Sequence, residues 1–344
     1  MAIKVFGKNP SGSRLEKIQA SSNYQDGAFQ NVRPTEVMLK NNSRVKLIMD
    51  FFNKPKSTVP SRTIPSIKTI LKDIQADSPA IVWFGHSSYF IKSKGLNILV
   101  DPVFSGNASP FSFFAKAFDG SNIYAVDDMP DIDLLLLTHD HYDHLDYSTV
   151  LKLDKKVKKI VTSLGVGEHL EYWQIDPAKI TELNWWESFE PGEDFNITAT
   201  PARHFSGRGT TRGKTLWSSF VLNIHGYRIF AGGDSGYDES FKEIGGKFGP
   251  FHLAILENGQ YNTRWPLIHM MPEETVRAAQ DLQATWLLPV HWGKFDLSLH
   301  DWNEPIKRVV KAAQDAHQPI LTPRIGELVI PGVKTTIDEW WNFT

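Results

Sequence analysis

Cysteine is absent from all 344 residues. Disulfides, thiol redox chemistry, cysteine nucleophiles and zinc fingers are excluded together, so any metal ligand must be His, Asp, Glu or backbone. Long apolar runs are missing as well. No segment has the length needed to span a bilayer, and Met1-Ala2-Ile3-Lys4-Val5-Phe6-Gly7-Lys8 lacks the apolar centre of a signal peptide. Charge of one sign is also scarce: 37 basic against 39 acidic residues give a net charge of -2. That balance offers no electrostatic reason to expect nucleic acid as a partner. The expectation is a soluble, cytoplasmic protein.

What is present is a core-forming composition, 41% hydrophobic and 12% aromatic, enough for one large domain or two ordinary ones. Residues 1–78 are polar and interrupted by Pro10, Pro34, Pro55, Pro60 and Pro65. They read as an N-terminal arm packed on a core of 79–344, with no obvious membrane-docking segment. Ile67, Ile70, Leu71 and Ile74 fall on one helical face, so a short helix is expected over 66–76. Strands are expected at 81–84, 89–91, 97–100, 134–137, 160–163, 195–201, 253–256 and 286–290, with a hairpin of 216–224 and 227–231 around His225-Gly226. Helices are expected from the metal loop to about Lys158, at 272–282 and at 304–316, and a last extended stretch at 320–330. The order is that of an α/β chain with two similar halves.

Histidine is sparse, 12 in all, yet three fall in Thr138-His139-Asp140-His141-Tyr142-Asp143-His144. This run follows the apolar Leu134–Leu137, read as a strand buried on both faces, and leads into a helical spacing whose cap and first turn would begin at Asp143. Ligands of open α/β sheets bind at the carboxyl ends of strands. His139, His204, Asp234 and His291 each directly follow a segment read as strand on other grounds. Imidazole and carboxylate donors gathered there suit zinc and other first-row metals. His169, His225, His252, His300 and His317 have no motif around them and read as surface or structural.

The full set, His139-x-His141-x-Asp143-His144 followed by His204, Asp234 and His291, resembles the metallo-β-lactamase superfamily. Trp83-Phe84-Gly85-His86, Asp101-Pro102-Val103-Phe104-Ser105, Trp185-Trp186-Glu187, Thr200-Pro201-Ala202-Arg203-His204, Gly233-Asp234-Ser235-Gly236-Tyr237 and His291-Trp292-Gly293 are similar to the branch containing N-acylphosphatidylethanolamine-hydrolysing phospholipase D. The resemblance runs from about Ser78 to Leu328. It implies a four-layer αββα sandwich and two divalent metal ions, zinc by default and iron or manganese with the same donors. One ion would take His139, His141 and His204, the other Asp143, His144 and His291, with Asp234 and a hydroxide bridging them.

The activity implied is phosphodiester hydrolysis of the phospholipase D type. Asp143, at the more open metal position, and His269, as phosphate binder or proton donor, are the candidate catalytic residues. Asp101 would fix a ligand imidazole, and His86, Glu257, Gln260, Tyr261 and Arg264 are further candidates around the substrate. Where the phospholipase is apolar this chain has Glu257-Asn258-Gly259-Gln260-Tyr261, with Arg264 as the expected partner of Glu257. That departure opens an alternative, a lactonase acting on a small polar lactone. A non-catalytic metal-stabilised binding protein is the third reading. The Phe-rich loop at 111–118 is read either as packed on the core or as an apolar rim for substrate. Partners are therefore a small-molecule or lipid phosphodiester and a peripheral membrane contact, with the oligomeric state open.

Overall fold

Leu134–Leu137 is apolar at every position because the strand it belongs to has protein on both sides. In the computed structural model, which describes residues 4–40, 43–333 and 337–343, Leu134 and Leu136 join one hydrophobic core while Leu135 and Leu137 join another. The chain begins with α1 (Gly12–Gln19), a small hairpin of β1 (Tyr24–Gln25) and β2 (Ala28–Phe29), and α2 (Arg44–Phe52). The first half of the core follows as β3 (Ala80–Trp83), β4 (Tyr89–Ser93), β5 (Leu96–Val100), β6 (Ile132–Leu137), α3 (Tyr147–Leu153), β7 (Val157–Ser163), α4 (Gly167–Tyr172) and β8 (Ile180–Leu183). The second half is β9 (Ser188–Gly192), β10 (Phe195–Thr200), β11 (Ser219–Ile224), β12 (Tyr227–Ala231), α5 (Ser240–Phe248), β13 (Phe251–Glu257), α6 (Pro272–Asp281), β14 (Ala284–Val290), α7 (Glu304–Asp315) and β15 (Leu328–Val329).

A seven-stranded sheet has the order β15-β3-β4-β5-β6-β7-β8, and a six-stranded sheet the order β14-β13-β12-β11-β10-β9. Strand alternation assigns the layers. Trp83, Val100, Leu134 and Leu136 share a core with Ile197, Phe220, Leu222 and Ile255 of the other sheet. Their neighbours Val82, Leu99, Leu135 and Leu137 pack with Val150 and Leu153 of α3 and Leu170 of α4. Val276 of α6 and Ile306 and Val309 of α7 are buried with the residues of the six-stranded sheet. The result is helix, sheet, sheet, helix, the αββα arrangement expected. Fully burying each such leucine or isoleucine contributes roughly 2 kcal/mol.

Several local expectations change. Residues 66–76 hold only a single 3₁₀ turn, Leu71–Asp73. Ile67 N donates to Ile325 O and Thr69 Oγ1 to Gly326 O, so contacts with the 325–326 turn displace the helix that the spacing suggested. The helix after the motif is capped by Asp146, whose side chain accepts from Ser148 N, and not by Asp143. It ends at Leu153, and the Lys155–Lys159 run becomes a 3₁₀ turn and the start of β7. The extended 320–330 stretch divides between the sheets: Ile320 bridges Leu287, whereas β15 pairs with β3. Helices α1, α2, α4 and α5 and strands β1, β2, β8 and β9 were not expected. No helix among the described residues is long and apolar enough to cross a membrane.

The arm is tied to the core by charge. Arg14 of α1 donates to Glu168 (2.8 Å), Glu182 (2.7 Å) and Glu171. Arg208, buried and stacked 4.2 Å over Tyr142, donates to Val5 O, Asp140 O and Leu145 O, which fastens the arm to the metal-motif loop.

Candidate metal centre

Strand direction gathers the site. β3, β5 and β6 run one way in the first sheet, and β10, β12, β13 and β14 run one way in the second. Their carboxyl ends deliver His86, Asp101, His139, His204, Asp234, Glu257 and His291. Backbone bonds join the two sheets there: His291 N donates to His86 O (2.8 Å) and His86 N to Trp292 O (2.9 Å). His86, Asp101, Gln260 and His291 all hold positive φ, between 41° and 67°. Such non-glycine conformations cost about 1–3 kcal/mol each and concentrate at functional sites. Gly259 must be glycine, since a Cβ there would lie 2.1 Å from His291 O.

Ligand-type atoms among the described residues converge in three groups: His139, His141, His204 and Asp234 on one side, His86, Asp143, His144 and His291 on the other, and Asp234, His269 and His291, which shares a residue with each. In the first group, His141 Nδ1 lies 3.0 Å from His139 Nε2 and 3.2 Å from His204 Nε2. Two of these imidazoles, His204 and His139, have their protons placed elsewhere. His204 Nδ1 donates to Ile268 O (2.9 Å). Thr138 Oγ1 donates to Asp101 Oδ2 (2.6 Å), which leaves its oxygen to accept from His139 Nδ1 (3.0 Å). Nε2 of both rings is thereby left as a lone pair. Lone pairs facing one another at this distance repel unless a cation lies among them, and the spacing fits the edges of a tetrahedral zinc site.

Asp234 stands between the groups. Its Oδ2 is 3.8 Å from His139 Nε2 and 3.7 Å from His204 Nε2. Its Oδ1 is 3.1 Å from both His144 Nε2 and His291 Nδ1. His144 Nε2 and Asp234 Oδ1 are buried and have no hydrogen-bond partner, although they converge. That pair of orphaned atoms fits a divalent cation better than it fits an apolar core. On its other side His144 Nδ1 meets Asp101 Oδ2 (2.8 Å), and Asp101 also accepts from Thr138 N (2.9 Å). His86 Nε2 lies 2.9 Å from Asp143 Oδ2, and Ser87 Oγ 2.8 Å from His291 Nδ1.

Electrostatics agrees with the donor set. Burial, then neighbouring imidazoles, holds His139 and His291 well below the ordinary imidazole value, and burial holds His204 there against the raising by Asp234, so each is neutral with a free lone pair. Burial also lowers His144, but Asp234, Asp143 and Asp101 outweigh it and raise the group. Asp143 and Asp234 stay below the ordinary carboxylate value, because the imidazoles around them outweigh their burial.

A cavity of about 220 Å³ opens on all three groups, with Asp143, Asp234, Gln260, His269 and His291 in its wall. The rest of the wall includes Val37, Met38 and Phe51 of the arm together with Phe205, Trp265, Ile268 and Leu297. The other candidates divide. Glu257 is buried, and its partners are His269 Nδ1 (2.7 Å) and Met270 N; Arg264 instead pairs with Asp50. The charge that Glu257 needed comes from His269, just before α6, and not from Arg264, which lies closer in sequence. Tyr261 stacks on His300 and donates to Glu304 Oε1 (2.8 Å), outside the cavity wall. The 111–118 loop is absent from that wall too: Phe118 is core, while Phe111, Phe113 and Phe114 are exposed. His169 is buried against Asp140 Oδ2 (3.1 Å), consistent with a structural reading. Thr138, Ser87 and the arm residues Val37, Met38 and Phe51 were missed. Thr138 carried a signal, lying directly between the strand and His139.

Known proteins place this geometry. The model of a beta-lactamase superfamily domain matches residues 96–292. An uncharacterized protein of Mycobacterium tuberculosis is 37% identical over 329 residues, covering 94% of this chain and 88% of the relative. N-acyl-phosphatidylethanolamine-hydrolyzing phospholipase D 1 of Caenorhabditis elegans is 29% identical over 273 residues, covering 75% and 76%. A solved metallo hydrolase of Ignicoccus hospitalis shares the fold with a TM-score of 0.57 at 18% identity, covering 73% of this chain and 97% of that one. The chain therefore belongs to the beta-lactamase superfamily and is a metal-dependent hydrolase of the metallo-β-lactamase fold.

Proposed function

We propose that the protein is a dinuclear metal-dependent phosphodiesterase of the phospholipase D type. The observation that carries this reading is Asp234, whose two oxygens serve two different groups of ligand atoms. His139, His141 and His204 would hold one divalent ion and Asp143, His144 and His291 the other, with Asp234 between them. Two ions bound so, zinc by the donor set and iron or manganese by the same donors, supply activated water and neutralise charge on phosphate oxygens. Asp101 and Thr138 fix the tautomers of His144 and His139, so the ligating nitrogens are oriented before an ion arrives. His269 stands in the cavity wall, its ring 5.0 Å from His204 and 5.1 Å from His291. With Nδ1 engaged by Glu257, its other nitrogen is the one available to protonate a departing alkoxide.

The apolar wall and the named activity of the Caenorhabditis elegans relative support an acylated phosphodiester as substrate. The lactone alternative drew on polar side chains at 257–260, and of these Glu257 and Asn258 are buried outside the cavity wall. The test is turnover by metal-loaded protein on bis(p-nitrophenyl) phosphate, on N-acylphosphatidylethanolamine and on a panel of lactones. Hydrolysis of the diesters and not of the lactones is expected. Lactone hydrolysis alone, or no turnover with both ions bound, overturns the reading.

A further inference from the structure

We infer that α2 and the Phe111–Phe114 loop form a docking face for an anionic phospholipid bilayer beside the candidate metal centre. The inference deepens the phosphodiesterase reading by naming the surface from which its substrate is taken.

In α2, Val45 is 68% exposed, Ile48 57%, Met49 57% and Phe52 85%. Their spacing of three, four and seven residues makes one stripe, the face a helix in water ordinarily buries. Here the helix rests on the protein by other residues. Asp50 pairs with Arg264, and Phe51 stacks on Trp265 with ring centroids 6.3 Å apart. Phe51 and Trp265 both belong to the cavity wall, so the helix that carries the outward stripe also lines the cavity. Composition hid this, because α2 is nine residues inside a polar, Pro-rich arm.

A second apolar patch stands on the loop after β5, at the same end of the sheet as the metal motif. Phe111, Phe113 and Phe114 are 43%, 67% and 57% exposed and touch one another ring to ring. Exposed aromatic and aliphatic groups clustered in these two segments exceed the scattered apolar residues of an ordinary surface.

Charge selects the occupant. Residues 43–64 contain five basic side chains, of which Lys54 is paired with Asp296, and one acidic, Asp50, which Arg264 engages. Residues 105–118 contain Lys116 and no acid, in a chain whose net charge is -2. An apolar stripe edged by lysines matches a bilayer with anionic headgroups. A second copy would instead bring two basic rims together, which repel.

The test is co-sedimentation of the metal-loaded full chain with vesicles of phosphatidylcholine alone and of phosphatidylcholine mixed equally with phosphatidylglycerol. Binding to the anionic vesicles should be roughly tenfold tighter or more. Ile48→Ser combined with Phe52→Ser should lose roughly tenfold or more of that binding, and Phe113→Ser with Phe114→Ser likewise. Neither pair lies in the cavity wall, so hydrolysis of soluble bis(p-nitrophenyl) phosphate should be unchanged. No binding by the parent protein, equal binding to neutral vesicles, or undiminished binding by both variants overturns the inference. So does a dimer that Ile48→Ser with Phe52→Ser converts to monomer without any vesicle binding, which assigns the stripe to a second copy. Failure of the phosphodiesterase reading would appear separately, as no diester turnover with sedimentation intact.

Discussion

Oε2 of Glu257 lies 2.7 Å from Nδ1 of His269, a carboxylate–imidazole pair at the edge of the candidate site. Glu257 is fully buried, and burial raises its carboxyl from 4.5 to about 7 against the lowering by His269. Burial lowers His269, yet the charge and hydrogen bond of Glu257 outweigh it and raise the imidazole. Both groups hold protons more tightly folded than unfolded. Their contribution to stability is complete below the unfolded values and is lost as pH rises through the folded ones, from about 4.5 through about 7 for Glu257.

The first prediction follows from that pair. Glu257→Gln should flatten the decline in unfolding free energy of metal-free protein between about pH 5 and pH 8, read by urea titration. In the metal-loaded enzyme the same change should lower kcat about tenfold, and His269→Ala about a hundredfold. A diester kcat unchanged in His269→Ala would remove the histidine from the chemistry.

Asp101 concerns the second ion. Asp101→Ala takes the acceptor from His144 Nδ1 and from Thr138, so affinity at the position of Asp143, His144 and His291 should fall about 10–100-fold. The position built by His139, His141 and His204 should be affected less. Stepwise competition with a chromophoric chelator separates the two; equal loss at both would contradict the division of ligands.

Lys294 offers a pH test away from the ligands. It is buried, its acceptors are Phe84 O (3.2 Å) and Val103 O (2.9 Å), and burial lowers it from 10.5 to about 7. The unfolded chain binds this proton more readily, so stability is highest above 10.5 and is lost as pH falls toward about 7. Lys294→Met should remove up to about 5 kcal/mol of that pH-dependent change. An unaltered slope between those values would place the charge in water.

Arg14 binds three carboxylates, Glu168 and Glu171 of α4 and Glu182 of β8. Arg14→Ala leaves Glu182 without its cation and Glu168 with Lys8 alone, and should destabilise by about 2–3 kcal/mol, measured by urea unfolding. A change below about 0.5 kcal/mol would show that the arm is held by its other contacts.

The sequence carried the reacting end of this fold more clearly than its edges. Leu134–Leu137 and Leu253–Leu256 are buried on both faces, so their apolar runs had one reading, and the donor residues at their ends stood out against polar loops. Elsewhere tertiary contacts decided. Gly245 and Gly246 argue against a helix by propensity, yet α5 needs Gly245, because a Cβ there would meet Asp281 O at 2.0 Å. The face formed by Ile67 and Ile70 suggested a helix, but both are exposed and the backbone bonds to 325–326. The stripe of α2 has helical period, but without the fold nothing showed that it points outward. Arg264 was matched to Glu257 by proximity in sequence, whereas Asp50 of α2 reaches it in space.

The central claim is attack on phosphorus at a two-ion centre, and the fate of water oxygen tests it most directly. Metal-loaded protein is given N-acylphosphatidylethanolamine in heavy-oxygen water, and the products are weighed by mass spectrometry. The account predicts one heavy oxygen in phosphatidic acid and none in the released N-acylethanolamine. Label in a liberated fatty acid, with phosphate unlabelled, would mean attack at a carbonyl and would contradict it.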